Sequence, residues 1–159
     1  MKPATLSEIK NEVNRLQPAK VKELLLHLAK YKKENKELIT YLLFEKEDEL
    51  GYINSIEEEI DSNFININNY SIYHSTKSLR KILRTLCKYI RFSGNRQTEA
   101  ELLIYFCRKL KDSGIDIEAS TALTNLFNRQ LEKIRKAIST LHEDLQGDYE
   151  RELGEVEIN

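Results

Sequence analysis

The chain has 159 residues, 40% of them hydrophobic and 32% charged, with a formal net charge of −1 at pH 7. That balance suits a folded domain with a densely charged surface and excludes a disordered chain. Five Gly and two Pro are too few for the turns of an all-β protein, and no apolar run approaches the roughly 20 residues of a membrane span.

The first helix is expected over residues 5–16. Thr5-Leu6-Ser7-Glu8 fits a capping box, and Leu6, Ile9, Val13 and Leu16 then recur on one helical face. Pro18 opens the second helix, where its fixed φ is pre-organised for a first turn. Val21, Leu24, Leu25 and Leu28 form its apolar stripe. Lys32-Lys33-Glu34-Asn35 interrupts the pattern, and Asn35 is the expected N-cap of a third helix carrying Leu38, Ile39, Leu42 and Leu43. A fourth helix is predicted over about 47–64, with Ile53, Ile56, Ile60 and Phe64 inward and Gly51 near its start. Ile65-Asn66-Ile67-Asn68-Asn69 reads as a connector, because clustered Asn favours caps and turns.

The fifth helix spans about 71–92 and stops at Ser93-Gly94. The sixth spans about 98–111 and stops at Ser113-Gly114. A seventh is expected to run unbroken over about 120–145, with Leu123, Phe127, Leu131, Ile134 and Ile138 inward. Beyond Gly147 the chain turns acidic and is expected to fray.

Val21-Lys22-Glu23-Leu24-Leu25-Leu26-His27-Leu28-Ala29-Lys30-Tyr31 lies over Leu79-Arg80-Lys81-Ile82-Leu83-Arg84-Thr85-Leu86-Cys87-Lys88-Tyr89 with matching apolar positions. Glu37-Leu38-Ile39-Thr40-Tyr41-Leu42 lies over Glu101-Leu102-Leu103-Ile104-Tyr105-Phe106 in the same order. The match proposes two copies of a three-helix unit, at about 18–66 and 77–140. The fold expected is all-α. About seven antiparallel helices form two tandem three-helix units in a short α-solenoid, with a compact helical bundle as the alternative topology. Residues 1–146 would form a single helical domain, with 5–16 as its N-terminal cap and 147–159 as an acidic tail.

The Leu25–Leu43 hairpin, with Asn35 in its loop, resembles HEAT-like and armadillo-like helical repeats. The usual Pro of the first helix and the Asp-x-x-x-Arg feature of the loop are missing. The chain as a whole also resembles an uncharacterised bacterial all-helical family. Neither resemblance carries a functional residue onto this sequence.

Chemistry-bearing motifs are sparse. No Glu or Asp stands three residues before His27, His74 or His142, so the Glu-x-x-His pattern of a di-metal helical centre is missing. Glu23 and His27 share a helix face without a second His. Glu57-Glu58-Glu59 point roughly 100° apart in succession and cannot converge on one ion. Phosphate-loop and nucleophile-elbow motifs are likewise missing. Cys87 and Cys107 are isolated thiols without metal or redox spacing. The sequence therefore implies no catalytic residue, no metal and no cofactor. With no secretory apolar region after Met1, the cytoplasm is the expected location.

Charge is unevenly placed. Ser62 to Thr98 contains no acid but seven Lys or Arg: Lys77, Arg80, Lys81, Arg84, Lys88, Arg91 and Arg96. At roughly 100° per residue, all of these but Arg96 fall within about 60° of Lys77, opposite Leu79, Ile82, Leu83, Leu86 and Ile90. Glu143 to Glu157 carries seven acids against Arg151. The acidic tail is expected to lie loosely on this basic face, with a fold that survives removal of 143–159. These seven cations are the candidate site. The leading reading is a non-enzymatic scaffold module that binds a protein partner through them. The second is nucleic-acid binding, with Tyr73, Tyr89 and Phe92 available to stack on bases. An enzyme or metal protein comes third.

Overall fold

The structure is a computed structural model that describes residues 1–67 and 71–158. Among them every regular element is helical, and no helix is long and apolar enough to cross a membrane. The chain divides into two compact units, Met1–Phe44 and Glu45–Asn159.

The first unit holds α1 (Leu6–Arg15), α2 (Pro18–Tyr31) and α3 (Lys33–Thr40), followed by a π-helical turn at Tyr41–Glu45. Its local signals act as expected. Thr5 caps α1 by accepting from the Glu8 amide at 3.3 Å, and Glu8 accepts from the Thr5 amide at 2.7 Å. Pro18 stands at the start of α2. Asn35 does not cap α3, whose N-cap is Lys32. Its side-chain amide instead donates to the Leu28 carbonyl at 2.9 Å, satisfying an orphan at the end of α2. No residue of α1, α2 or α3 is buried. Leu6, Ile9, Val13, Leu16, Val21, Leu24, Leu25 and Leu28 are each at least 36% exposed, so the expected stripes are not a core within this unit. A unit of so few residues has too little area to enclose them.

The second unit holds α4 (Glu49–Ile65), α5 (Ile72–Ser93), α6 (Arg96–Asp112), a short 3-10 turn (Ile117–Ala119), α7 (Thr121–Ile138) and α8 (Glu143–Ile158). Asp48 caps α4 by accepting from the Gly51 amide at 2.9 Å. A Cβ on Gly51 would come within 2.3 Å of that carboxylate and would displace the capping side chain. Gly94 ends α5 at φ 65°, in the left-handed region that favours glycine. Asn66 caps the C-terminus of α4, and the Asn68-Asn69 part of the expected connector lies outside the described residues.

Helix α6 is central and packs on α4, α5, α7 and α8. Leu102, Leu103, Ile104, Phe106, Cys107 and Leu110 are at most 1% exposed, an all-round burial that only an interior helix needs. Because α4 packs on α5 and α6, it belongs to this unit, and the expected 18–66 triplet is divided between the two units.

Two expectations about the C-terminal part need correction. The helix predicted over 120–145 breaks after Ile138. Ser139 and Thr140 turn their hydroxyls onto the Lys136 and Ala137 carbonyls at 2.8 and 2.7 Å, competing with the helical ladder. Of the acidic segment, residues 147–158 are not frayed but lie in α8, which packs on α6 and α7, and Asn159 lies outside the described residues. Tyr149, Leu153 and Val156, spaced four and three apart, are buried at 8%, 6% and 2% exposure. Three acids on the other faces pair with α6 and α7: Arg108 meets Glu152 and Glu155 at 3.6 and 3.7 Å, and Arg135 meets Glu157.

Both cysteines are free. Burial pushes the Cys107 thiol up to about 12, whereas Cys87 is half-buried. In the native protein only Cys87 is expected to react rapidly with a thiol reagent near neutral pH, and both should react after denaturation. Two rapid equivalents in the native state would contradict the burial of Cys107.

Candidate basic groove

The apolar face of α5 fixes where its charges go. Leu79, Ile82, Leu83, Leu86 and Ile90 are buried, which turns Lys77, Arg80, Lys81 and Arg84 outward. They meet a second row from α7. A groove of about 380 Å³ is lined by Arg80, Leu83, Arg84 and Cys87 of α5 and by Ala122, Asn125, Leu126, Arg129, Gln130 and Lys133 of α7. Arg80, Arg84 and Ala122 also line an adjoining groove of about 620 Å³. That part is lined by Ile72, Tyr73, Thr76, Lys77, Ser78, Lys81 and Ser120 as well. No acidic side chain lines either part.

The N-terminus of α7, capped by Ser120, opens beside this groove and adds its positive dipole end. Tyr73, 71% exposed, presents a ring at the other end of the cationic row, in edge contact with His74 at 5.4 Å. Lys133 Nζ lies 3.8 Å from Cys87 Sγ.

The seven expected cations separate. Lys77, Arg80, Lys81 and Arg84 line the groove. Lys88 stands over the Tyr89 ring at 4.8 Å, and Arg91 in the last turn of α5 has a partner of its own. Arg96 starts α6 and pairs with Glu99. Arg129 and Lys133, an i, i+4 pair on α7, were not legible as site residues, because only the tertiary fold sets α7 beside α5. Tyr89 and Phe92, the other expected stacking rings, face each other at 6.2 Å, and the Tyr89 hydroxyl donates to Glu59 at 3.1 Å.

The acidic segment expected to cover the basic face packs on α6 and α7 instead. Its Glu152 and Glu155 pair with Arg108, and its Glu157 with Arg135. On α4, Asp61 accepts from Lys109 and from the Tyr105 hydroxyl, both at 2.8 Å. These bonds hold the Asp61 carboxyl below its ordinary value, the Lys109 contact most of all.

A second polar cluster joins α4, α6 and α8. Burial raises Glu57, helped by the charges of Glu101 and Asp61. Burial also raises Glu101, opposed by the Tyr149 hydroxyl that donates to it at 3.3 Å and reinforced by Glu152. Among the described residues no group of His, Cys, Asp or Glu is arranged to hold a metal ion.

A carboxyl raised by folding favours the native state while protonated. That contribution is complete below the ordinary value of 4.5 and is lost as pH rises through the higher native value. At neutral pH the Glu57 charge is therefore a cost. Glu57→Gln is expected to stabilise the protein by about 0.5 kcal/mol at pH 7, with no gain below pH ~4. Thermal melts at the two pH values measure this, and an equal gain at both would contradict the electrostatic cause.

No protein family, curated protein or solved structure matches the chain. What fold and site define is an all-α protein with a basic groove between two helices of its second unit.

Proposed function

We propose that this protein is a non-enzymatic interaction module that binds a phosphate backbone along the α5–α7 groove. One observation carries the reading: Lys77, Arg80, Lys81, Arg84, Arg129 and Lys133 line two adjoining grooves that share Arg80 and Arg84 and that no acid lines. Such a row neutralises successive phosphates and releases their counterions. The sequence alone favoured a protein partner, because an acidic tail would repel phosphate. The acidic segment instead packs on α6 and α7, with Glu152, Glu155 and Glu157 paired to Arg108 and Arg135, which weakens that objection. Free thiols suit work in a reducing cytoplasm. The test is binding of short single-stranded oligonucleotides by fluorescence anisotropy over a salt series, with Arg80→Glu/Arg84→Glu as the disrupting variant.

Protein binding is the second reading, favoured by the uncovered apolar side chains of α1 and α2. A second copy of the chain, offering the same stripe, would cover them. Sedimentation equilibrium across the micromolar range tests it, and a monomer throughout would reject that occupant. In the tandem-copy reading, which the sequence match alone supports, 18–66 and 77–140 are copies within a short solenoid.

A further inference from the structure

The larger groove has an end that its cations do not account for. At the start of α5 it is lined by Ile72, Tyr73 and Thr76. Ile72 and Tyr73 are 41% and 71% exposed, so both present apolar surface to solvent. The Thr76 hydroxyl donates to the Ile72 carbonyl at 2.7 Å, which commits that hydrogen within the helix. This end offers a ligand ring and methyl surface rather than charge.

Tyr73 also stands in register with the cations. Tyr73, Lys77, Lys81 and Arg84 follow one another at four, four and three residues, which is one face of a helix, and all four line this groove. The ring thus extends the cationic row by one turn, about 6 Å at 1.5 Å per residue. A row of fixed charges that ends in an open ring suits a chain carrying a phosphate and a flat ring in every repeat. A single strand of nucleic acid is such a chain, and its bases have free faces to stack on a tyrosine. In a duplex those faces are covered by neighbouring bases, and the groove would meet phosphates alone. An acyl chain would need an enclosing pocket, which an end with a ring as exposed as Tyr73 does not form.

We infer that this groove selects single-stranded nucleic acid, with one unpaired base stacked on Tyr73 while Lys77, Arg80, Lys81 and Arg84 hold the adjoining phosphates. The inference rests on the phosphate-backbone reading and adds the base to it. Stacking uses the face that every base has, so the selectivity is for the unpaired state and not for a sequence.

Three DNA probes of equal length test it by fluorescence anisotropy with the full chain at low salt. They are a single strand without self-complementarity, its duplex, and an abasic strand that keeps the sugars and phosphates. The single strand is expected to bind about tenfold more tightly than the abasic strand, a difference of about 1.4 kcal/mol. The duplex should bind more weakly than the single strand in spite of its higher charge density. Tyr73→Ala should bring the single strand down to the abasic affinity, with the abasic strand and the salt slope unchanged, because no charge is removed. Tyr73→Phe keeps the ring and should bind like the wild type. Circular dichroism checks that both variants fold, and the abasic and duplex comparisons need no variant. Equal binding of the single and abasic strands, with both lost in Arg80→Glu/Arg84→Glu, would overturn the stacking and leave the phosphate reading standing. So would duplex binding as tight as that of the single strand, or an equal loss of single and abasic strands in a folded Tyr73→Ala. Displacement of the single strand by octyl phosphate, at a concentration where inorganic phosphate has no effect, would overturn it in favour of an amphiphilic anion. Failure of all three probes to bind would overturn the phosphate reading itself.

Discussion

Truncation after Gln146 is expected to abolish cooperative folding of the second unit. The removed segment is most of α8, which contributes Tyr149, Leu153 and Val156 to the core against α6 and α7. Each such side chain stabilises by about 1.5–3 kcal/mol when fully buried. Together they approach the about 5–15 kcal/mol of a whole domain. The cut also removes the Val156 carbonyl that accepts from Lys111, the Tyr149 hydroxyl on Glu101, and the partners of Arg108 and Arg135. Leu153→Ala is the milder form, and about 2–5 kcal/mol is expected from the lost transfer energy and the cavity. Thermal and urea unfolding followed by circular dichroism measure both changes. A truncated chain that melts within a few degrees of the full one would show that α8 is only a loosely laid tail, as its acidity first suggests.

The burial of α8 in spite of its acidity has a physical cause. Seven acids against Arg151 between Glu143 and Glu157 lower mean hydropathy so far that the segment reads as solvated. Yet Tyr149, Leu153 and Val156 keep helical spacing, and a helix buries only one stripe. The periodicity was visible, but the composition outweighed it. Features set by neighbours in the chain were legible: the Thr5–Glu8 capping box, Pro18 at the start of α2, Gly94 after α5. The break at Ser139-Thr140 was not, because hydroxyl groups inside a helix either back-bond quietly or end it, and packing decides. The site was half legible for the same reason. The charges of α5 lie on one face of one helix, which a helical wheel displays. Arg129, Lys133 and Gln130 join them only because α5 and α7 flank one groove, which no local pattern records.

Reversal of two groove charges, Arg80→Glu/Arg84→Glu, is expected to weaken binding of a single-stranded oligonucleotide by about a hundredfold at low salt. Both residues line both parts of the groove, so no register of the strand avoids them. A strand neutralised by about four cations should show a slope of log affinity against log salt near −3, at about −0.7 per phosphate contact. Removing two contacts should flatten it to about half, so the wild type and the variant converge as salt rises. Both arginines are exposed and away from the core, and stability should change by no more than about 0.5 kcal/mol. Arg96→Glu is the control. It reverses a charge equally exposed and equally near in sequence, but one paired with Glu99 and outside the groove. A uniform response to net charge would weaken all variants in proportion to the charge reversed, whereas a groove leaves Arg96→Glu close to wild type. An acidic peptide provides the remaining comparison. Its carboxylates meet the same cations but are spaced along a different backbone, and it should displace the oligonucleotide only at large excess. Displacement at equal concentrations would return the groove to an acidic protein partner. A wild-type affinity indifferent to salt would remove the phosphate contacts altogether, because an interface built on Lys77, Arg80, Lys81, Arg84, Arg129 and Lys133 cannot be salt-insensitive.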